Sequence, residues 1–150
     1  MCRVCGHRRD RCWWAVVTMG RSLVEGEARG EIIVLDEPLS FWGGYEPAIG
    51  RIIDPSHPQH GMSLTGRIVV MAHGRGSSSS ASVLAEALRL GTGPAGLVLE
   101  RPDQILVTGS LVAGLLYGVV CPVAVGKVPA GASGIWELGP EGVIRPSPRP

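Results

Sequence analysis

Residues Gly66–Leu90 read GRIVVMAHGRGSSSSASVLAEALRL, and the fold turns on how this stretch is read. Gly66–Ala72 (GRIVVMA) is an apolar, β-branched run of strand length. His73–Ser80 (HGRGSSSS) follows, a turn of glycines and serines. Val83, Leu84, Ala87 and Leu88 then recur at i, i+1, i+4 and i+5, which is one face of a helix. Gly91 and Gly93-Pro94 end that helix. A strand, a tight turn and a helix in this order make the first half of a strand–helix–strand unit.

Working outward, Ala95–Leu99 supplies the returning strand. A second helix is expected over about residues 108–116, with Leu111, Val112, Leu115 and Leu116 inward. A strand at Val119–Val125, carrying Cys121, completes a second passage. Two such passages favour parallel strands joined by right-handed crossovers. Upstream, Ser22–Ala28 alternates weakly as a strand, and Glu31–Leu35 (EIIVL) is a denser, buried one that Pro38 stops. Downstream, Gly134–Leu138 and Gly142–Ile144 form a hairpin around Gly139-Pro140. The fold class expected is α/β, compact and turn-rich, as 22 glycines and 12 prolines suggest.

Composition narrows the function. The 150 residues hold 14 Lys+Arg against 13 Asp+Glu, a formal net charge of +1. That balance lacks the basic excess of a dedicated nucleic-acid binder. At 45% hydrophobic residues the chain is not disordered by composition. No apolar run reaches the roughly 18–20 residues that a membrane span needs. The length suits one domain, and is short for a multistep enzyme with its own cofactor domain.

The ends differ from the middle. Residues 1–20 hold Cys2, Cys5 and Cys12, Trp13 and Trp14, and four arginines against one aspartate. Cys2, Cys5 and His7 with Cys12 offer half of a zinc motif, since Cys-x-x-Cys lacks a second pair at matching spacing. The alternative is a disordered extension, or an upstream start with Met19 as the true first residue. Nothing here has the pattern of a secretory signal, so a cytoplasmic chain with reduced thiols is expected. Residues 21–145 are expected to fold as one domain, and residues 146–150 to form a frayed, proline-rich tail.

Chemistry concentrates in the turn. Gly74 and Gly76 let the backbone bend sharply and approach a ligand closely. The serines that follow can cap orphan N–H groups, and the helix end favours an anion. A serine oxygen held there is stabilised as an alkoxide, and Arg75 can clamp a carboxylate or phosphate. A plain helix cap with a serine linker is the alternative. The pattern is neither a Walker A loop nor a dinucleotide fingerprint. The stretch Ser40–Thr65 is a long loop in composition, and long loops are usually functional. In it Asp54, His57 and His60 offer acid–base or metal-binding groups, although His57-Pro58 also reads as a structural turn. Phe41 and Trp42 suit either core or an interface. Cys121 reads as a buried thiol.

Three stretches taken together resemble a known family. PLSFWGG (Pro38–Gly44), GRIIDPSHPQHG (Gly50–Gly61) and GRIVVMAHGRGSSSS (Gly66–Ser80) are similar to the swivel-domain subunit of the aconitase X family. The likeness runs from about Arg21 to about Ile144. It implies a swivelling β/β/α domain, like the mobile domain of aconitase. It also implies a separate large subunit carrying a 4Fe-4S cluster, with no cluster or metal bound by this chain alone, and a hydro-lyase reaction on a small hydroxy acid. The family's catalytic serine falls on Ser77, which as an alkoxide removes the proton next to a carboxylate. Arg75, Gly76 and Ser78 are then the substrate-binding residues. Aconitase proper has an arginine after the second serine, where this chain has Ser79. Two family activities are implied: dehydration of (R)-5-phosphomevalonate to trans-anhydromevalonate 5-phosphate in an archaeal-type mevalonate pathway, and dehydration of cis-3-hydroxy-L-proline. The first is expected here. A non-catalytic anion-binding module, or a phosphohistidine carrier using His73, are the readings outside that class.

Overall fold

The structure, a computed structural model, describes residues 17–148. Its strands in chain order are β1 (Thr18–Met19), β2 (Arg21–Val24), β3 (Ala28–Val34), β4 (Tyr45–Glu46), β5 (Arg51–Ile52), β6 (Ile68–Met71), β7 (Gly96–Leu99), β8 (Val123–Val125), β9 (Ile135–Leu138) and β10 (Val143–Pro146). A helical turn α1 (Phe41–Gly44), broken by extended and left-handed backbone at Trp42 and Gly43, precedes β4. The two full helices are α2 (Ser80–Leu90) and α3 (Gln104–Tyr117).

The expected parallel unit is present. Strands β3, β6, β7 and β8 pair in parallel, with α2 and α3 as the crossovers from β6 to β7 and from β7 to β8. Every residue of β6 is buried. Val69 and Met71 face the cluster under the helices, while Ile68 and Val70 face a second cluster with Val98, Trp136, Leu138 and Ile144. Period-two alternation thus feeds two cores, as a strand covered on both faces requires.

The whole sheet has eight strands in the order β1-β10-β9-β3-β6-β7-β8-β2. Its two edges belong to one continuous segment. β1 pairs with β10, β2 pairs with β8, and between them the Gly20 amide donates to the Gly142 carbonyl at 3.0 Å. The sheet is therefore nearly closed, and neither edge of the β10–β8 span is left open to pair with another chain. This moves the expected domain boundary. Thr18 and Met19 pair with Ile144 and Val143, so the sheet starts before Arg21. The expected strand at Ser22–Ala28 is two strands, because β2 and β3 serve different neighbours. At the other end Pro146 pairs with Trp136, and the buried Ser147 amide donates to the Ile135 carbonyl. The expected frayed tail is held by the sheet as far as Ser147. The readings on Cys2, Cys5, His7 and Cys12, and on residues 149–150, lie outside the described residues.

Two expectations need correcting. The stretch Ser40–Thr65 is a packed layer rather than an open loop. Phe41, Tyr45, Ile52 and Leu64 are buried in it, and β4 and β5 form a small hairpin. The Tyr45 hydroxyl and the Thr65 hydroxyl both donate to the Thr92 carbonyl, behind the end of α2. Its turn residues outnumber its apolar anchors in sequence, which hid the anchors. The inward face of α3 is also different. Leu111, Leu115 and Leu116 are 47%, 85% and 67% exposed, and the buried face is Leu106, Gly109, Ser110 and Ala113. That face has the i, i+3, i+4, i+7 spacing of an amphipathic helix, but it is built from small residues. A Cβ at Gly109 would stand 2.7 Å from the Ala81 carbonyl oxygen, so α2 and α3 approach too closely for leucine. Among the described residues no helix is long and apolar enough to cross a membrane.

This packing predicts opposite outcomes at two glycines of α3. Gly109→Val should lower stability in urea unfolding by about 1–3 kcal/mol, the cost of overpacking a filled interface. Gly114→Ala, whose added Cβ meets nothing closer than 3.8 Å, should raise it by about 0.5–1 kcal/mol. The reverse order would mean that the α2–α3 spacing is slack.

Candidate functional site

β6 ends at Met71, and the chain turns through His73–Ser79 into α2. The turn is gripped from both sides. On one side the Arg75 amide donates to the Leu39 carbonyl at 3.2 Å. On the other the Gly74 amide donates to Asp103 Oδ2 at 3.1 Å. A Cβ at position 74 would lie 2.9 Å from that carboxylate oxygen, and one at 76 would lie 2.4 Å from Ser40 Oγ. Gly76 also has φ +90°, which disfavours any side chain. The glycines are thus required by space as well as by conformation.

The serine run opens the helix as expected, with Ser79 as N-cap and Ser80 as first residue, but the Ser79 side chain makes no cap hydrogen bond. α2 begins at Ser80, whose buried hydroxyl accepts the Trp42 amide at 3.0 Å. Ser77 lies three residues earlier, exposed, in a lead-in turn where Ser80 N–H donates to the Ser77 carbonyl at 3.0 Å. Ser77 Oγ accepts the Ser79 amide at 3.2 Å. That is a local serine turn ahead of the helix, made by the serine that the family resemblance singles out. An N–H aimed at a hydroxyl oxygen stabilises negative charge on it. Gly76 and Ser78 are exposed on either side.

Arg75, two residues before Ser77, has its side chain 43% exposed, and its Nη2 stands 3.0 Å from Asp54 Oδ2. Asp54 Oδ1 in turn accepts Ser56 N–H at 2.9 Å and the Ser56 hydroxyl at 2.6 Å. Those Ser56 hydrogen bonds first, and then the charge of Arg75, hold the Asp54 carboxyl below the ordinary carboxylate range. The long-loop segment and the glycine turn thus meet through one ion pair.

The remaining candidates separate from the site or serve the fold. His57 is buried; Nδ1 accepts the Gln59 amide and Nε2 donates to the Glu37 carbonyl, both at 3.1 Å, so the ring is a structural turn element. His60 stands with Nδ1 3.0 Å from the Asp54 carbonyl. His73 is half-buried with Nδ1 against the Gly74 carbonyl. Cys121 is buried, and burial pushes its thiol up to about 12. Among the described residues no group of three His, Cys, Asp or Glu side chains is placed to hold a metal ion. Phe41 and Trp42 divide their roles. Phe41 is fully buried against Tyr45, with ring centroids 5.1 Å apart, while Trp42 is 59% exposed at the rim of the turn.

Beside the turn is a recess of about 60 Å³ lined by Leu39, Gly74, Arg75, Gly76, Ser80 and Asp103 among others. Ligand pockets run roughly 300–1,000 Å³, so this recess is one wall of a site rather than a whole one. A larger groove of about 590 Å³ lies elsewhere, along β3, β9 and β10. Within it Glu137 pairs with Arg145 at 2.9 Å and with Arg29 at 3.8 Å, and none of the turn residues lines it.

Sequence reading missed Asp103 and Ser80. Asp103 Oδ1 caps α3 by accepting the Ile105 and Leu106 amides at 3.0 and 3.1 Å, while Oδ2 holds the turn. An aspartate one residue before the helix is a cap signal; it went unread because the helix was placed four residues late.

With this geometry in hand, comparison with known proteins is informative. Residues 17–131 match the family model described as the aconitase X swivel domain. Over 104 residues the chain is 43% identical to the cis-3-hydroxy-L-proline dehydratase of Pseudomonas aeruginosa, covering 69% of this chain but only 18% of that protein. Over 95 residues it is 37% identical to the phosphomevalonate dehydratase small subunit of Methanothermobacter thermautotrophicus, covering 63% of this chain and 72% of the relative. The fold superposes on the crystal structure of Thermococcus kodakaraensis aconitase X in its holo-form with a TM-score of 0.78, at 26% identity, over 86% of this chain and 96% of that one.

The double duty of Asp103 is open to test. Asp103→Ala should lower the urea midpoint by an amount worth about 1–2 kcal/mol, the usual cost of losing a helix cap. Amide exchange should quicken at Gly74 as well as at Ile105 and Leu106. Quickening at the two helix amides alone would show that the turn does not depend on this carboxylate.

Proposed function

This chain belongs to the aconitase X swivel-domain family, and on that basis we propose that it is the small subunit of a two-subunit hydro-lyase acting on (R)-5-phosphomevalonate. The observation that carries the reading is Ser77 itself. Ser77 is exposed, its hydroxyl oxygen accepts the Ser79 amide, and Arg75 stands two residues before it in the same turn. A base that works by losing its own proton needs such support, because a serine hydroxyl is otherwise a weak acid. Ser77 Oγ takes the proton from the carbon next to the substrate carboxylate. The C–H electron pair forms a double bond to the next carbon as the C–O bond there breaks. The departing hydroxide takes the proton that Ser77 Oγ received, leaving as water and restoring the base. Arg75 binds the carboxylate, and the chain around Gly76 and Ser78 lies against the substrate.

The large subunit is the proposed partner. A recess of about 60 Å³ cannot enclose a hydroxy acid, so the other walls come from a second polypeptide. The relative in Methanothermobacter is named as a small subunit, which supports the same division. The family resemblance assigns a 4Fe-4S cluster to the large subunit, where it supplies a Lewis acid. The described residues of this chain do not fit such a cluster: Cys121, the one cysteine among them, is buried with a raised thiol pKa. In this reading proton transfer and carboxylate binding are the work of this chain. We place the complex in the cytoplasm, consistent with a free, buried thiol.

A second reading has its own support. The 43% identity to the Pseudomonas protein favours cis-3-hydroxy-L-proline as substrate with the same base and the same chemistry. The complex with the cognate large subunit, purified anaerobically and given each compound separately, decides between them. Dehydration of (R)-5-phosphomevalonate is expected, and dehydration of cis-3-hydroxy-L-proline instead would transfer the assignment. In either case Ser77→Ala should lower kcat by a factor on the order of 10²–10⁴, the usual contribution of a positioned base, while the two subunits still co-elute. Turnover at the unsubstituted rate would overturn the role of Ser77.

A further inference from the structure

Arg75 sits on a turn with two glycine neighbours and has nearly half of its side chain in solvent. A long cation so placed samples many rotamers unless something fixes it. Asp54 is built to do so. Its carboxylate is shared between two tasks, Oδ1 to the Ser56 amide and hydroxyl and Oδ2 to Arg75 Nη2. Its backbone is fixed as well. The Asp54 amide donates to the Gly44 carbonyl at 3.3 Å, the Asp54 carbonyl accepts the His57 amide at 3.1 Å, and Ile52 two residues before is fully buried. The carboxylate is thus an immobile point on the packed 40–65 layer, 21 positions away in sequence from the arginine it meets.

We propose that Asp54 is a positioning residue, which holds one edge of the Arg75 guanidinium so that its remaining donors face the carboxylate of the hydroxy-acid substrate beside Ser77. The inference rests on the dehydratase reading above and adds to it the residue that aims the clamp. A guanidinium has five N–H donors in a fixed planar fork, so binding one edge to an immobile carboxylate leaves the other edge both available and oriented. The charge of Asp54 also tempers that of Arg75, so the site gives up some long-range attraction for geometry. The two effects predict opposite changes when the charge is removed.

The test is Asp54→Asn in the anaerobic complex with the large subunit, assayed with the hydroxy acid that the complex consumes. Asparagine keeps the side-chain acceptor for the Ser56 turn and removes the charge facing Arg75. Positioning predicts that KM rises about ten-fold, within the hundred-fold that a misplaced group can cost. It predicts a kcat changed much less and an unaltered thermal midpoint. Combined with Arg75→Lys, the substitution should add nearly nothing to the KM rise of Arg75→Lys alone, because residues acting through one contact are not additive. An unchanged or lowered KM would overturn the proposal, leaving Asp54 a turn residue or a charge damper. Full additivity with Arg75→Lys would overturn it too. The underlying reading fails by a different sign, normal turnover by Ser77→Ala, so the two failures cannot be confused.

Discussion

The constraint on which this structure rests is the lack of room around the glycine turn between β6 and α2. Leu39 and Ser40 press on it from one side, Asp103 and Leu106 from the other, and neither position 74 nor 76 can carry a Cβ without moving a neighbour. The confinement fixes the path of the backbone, and the path fixes where Ser77 and Arg75 emerge. It also joins parts of the fold that are far apart in sequence. Asp103 belongs to the second crossover, Ser40 to the layer before β6, and the turn to the first crossover. A rigid frame is what the proposed base at Ser77 would require, since small misplacements are costly in rate.

The same economy of space appears between the helices. α2 and α3 approach most closely at Gly109, where an added Cβ would stand against Ala81 and Leu84. Close approach keeps the two helix starts near each other on the strand-end side of the sheet, where the turn and Asp103 lie. It also sends Leu111, Leu115 and Leu116 outward. The nearly closed sheet performs a comparable service for the edges. One segment around Gly20 pairs with β10 on one flank and β8 on the other, so the sheet that supports the turn has few unpaired strands to fray.

An incomplete recess gives this fold its functional character. Arg75 and Gly76 line a recess of only about 60 Å³, and Ser77 and Trp42 are exposed. If Ser77 acts as the proposed base it needs water excluded around it, and in that proposal the exclusion falls to the large subunit. A domain with a finished framework and an unfinished pocket suits the swivel module of a larger enzyme.

Much of this was legible in the residues. The β6–turn–α2 unit could be read from an apolar run, two glycines, four serines and a helical face, because each is a local signal set by backbone conformation and spacing. The parallel arrangement followed from the alternation of strands and helices. Arg75 and the serine run were marked by the turn they occupy, and the family resemblance singled out Ser77 within that run. Other features were not local. Which face of α3 is buried depends on how near α2 lies, and the apolarity of α3 on most sides hid the small-residue seam. The layered packing of residues 40–65 depends on anchors such as Phe41, Ile52 and Leu64 finding a surface made by distant strands. The pairing of Asp54 with Arg75, and of Asp103 with the turn, joins residues 21 and 29 positions apart. The sequence by itself determined the strand–turn–helix and the chemical groups it carries, since those follow from short-range conformational preference. The tertiary structure alone decided which carboxylates meet the turn and how close the helices come, since both depend on where the chain returns in space.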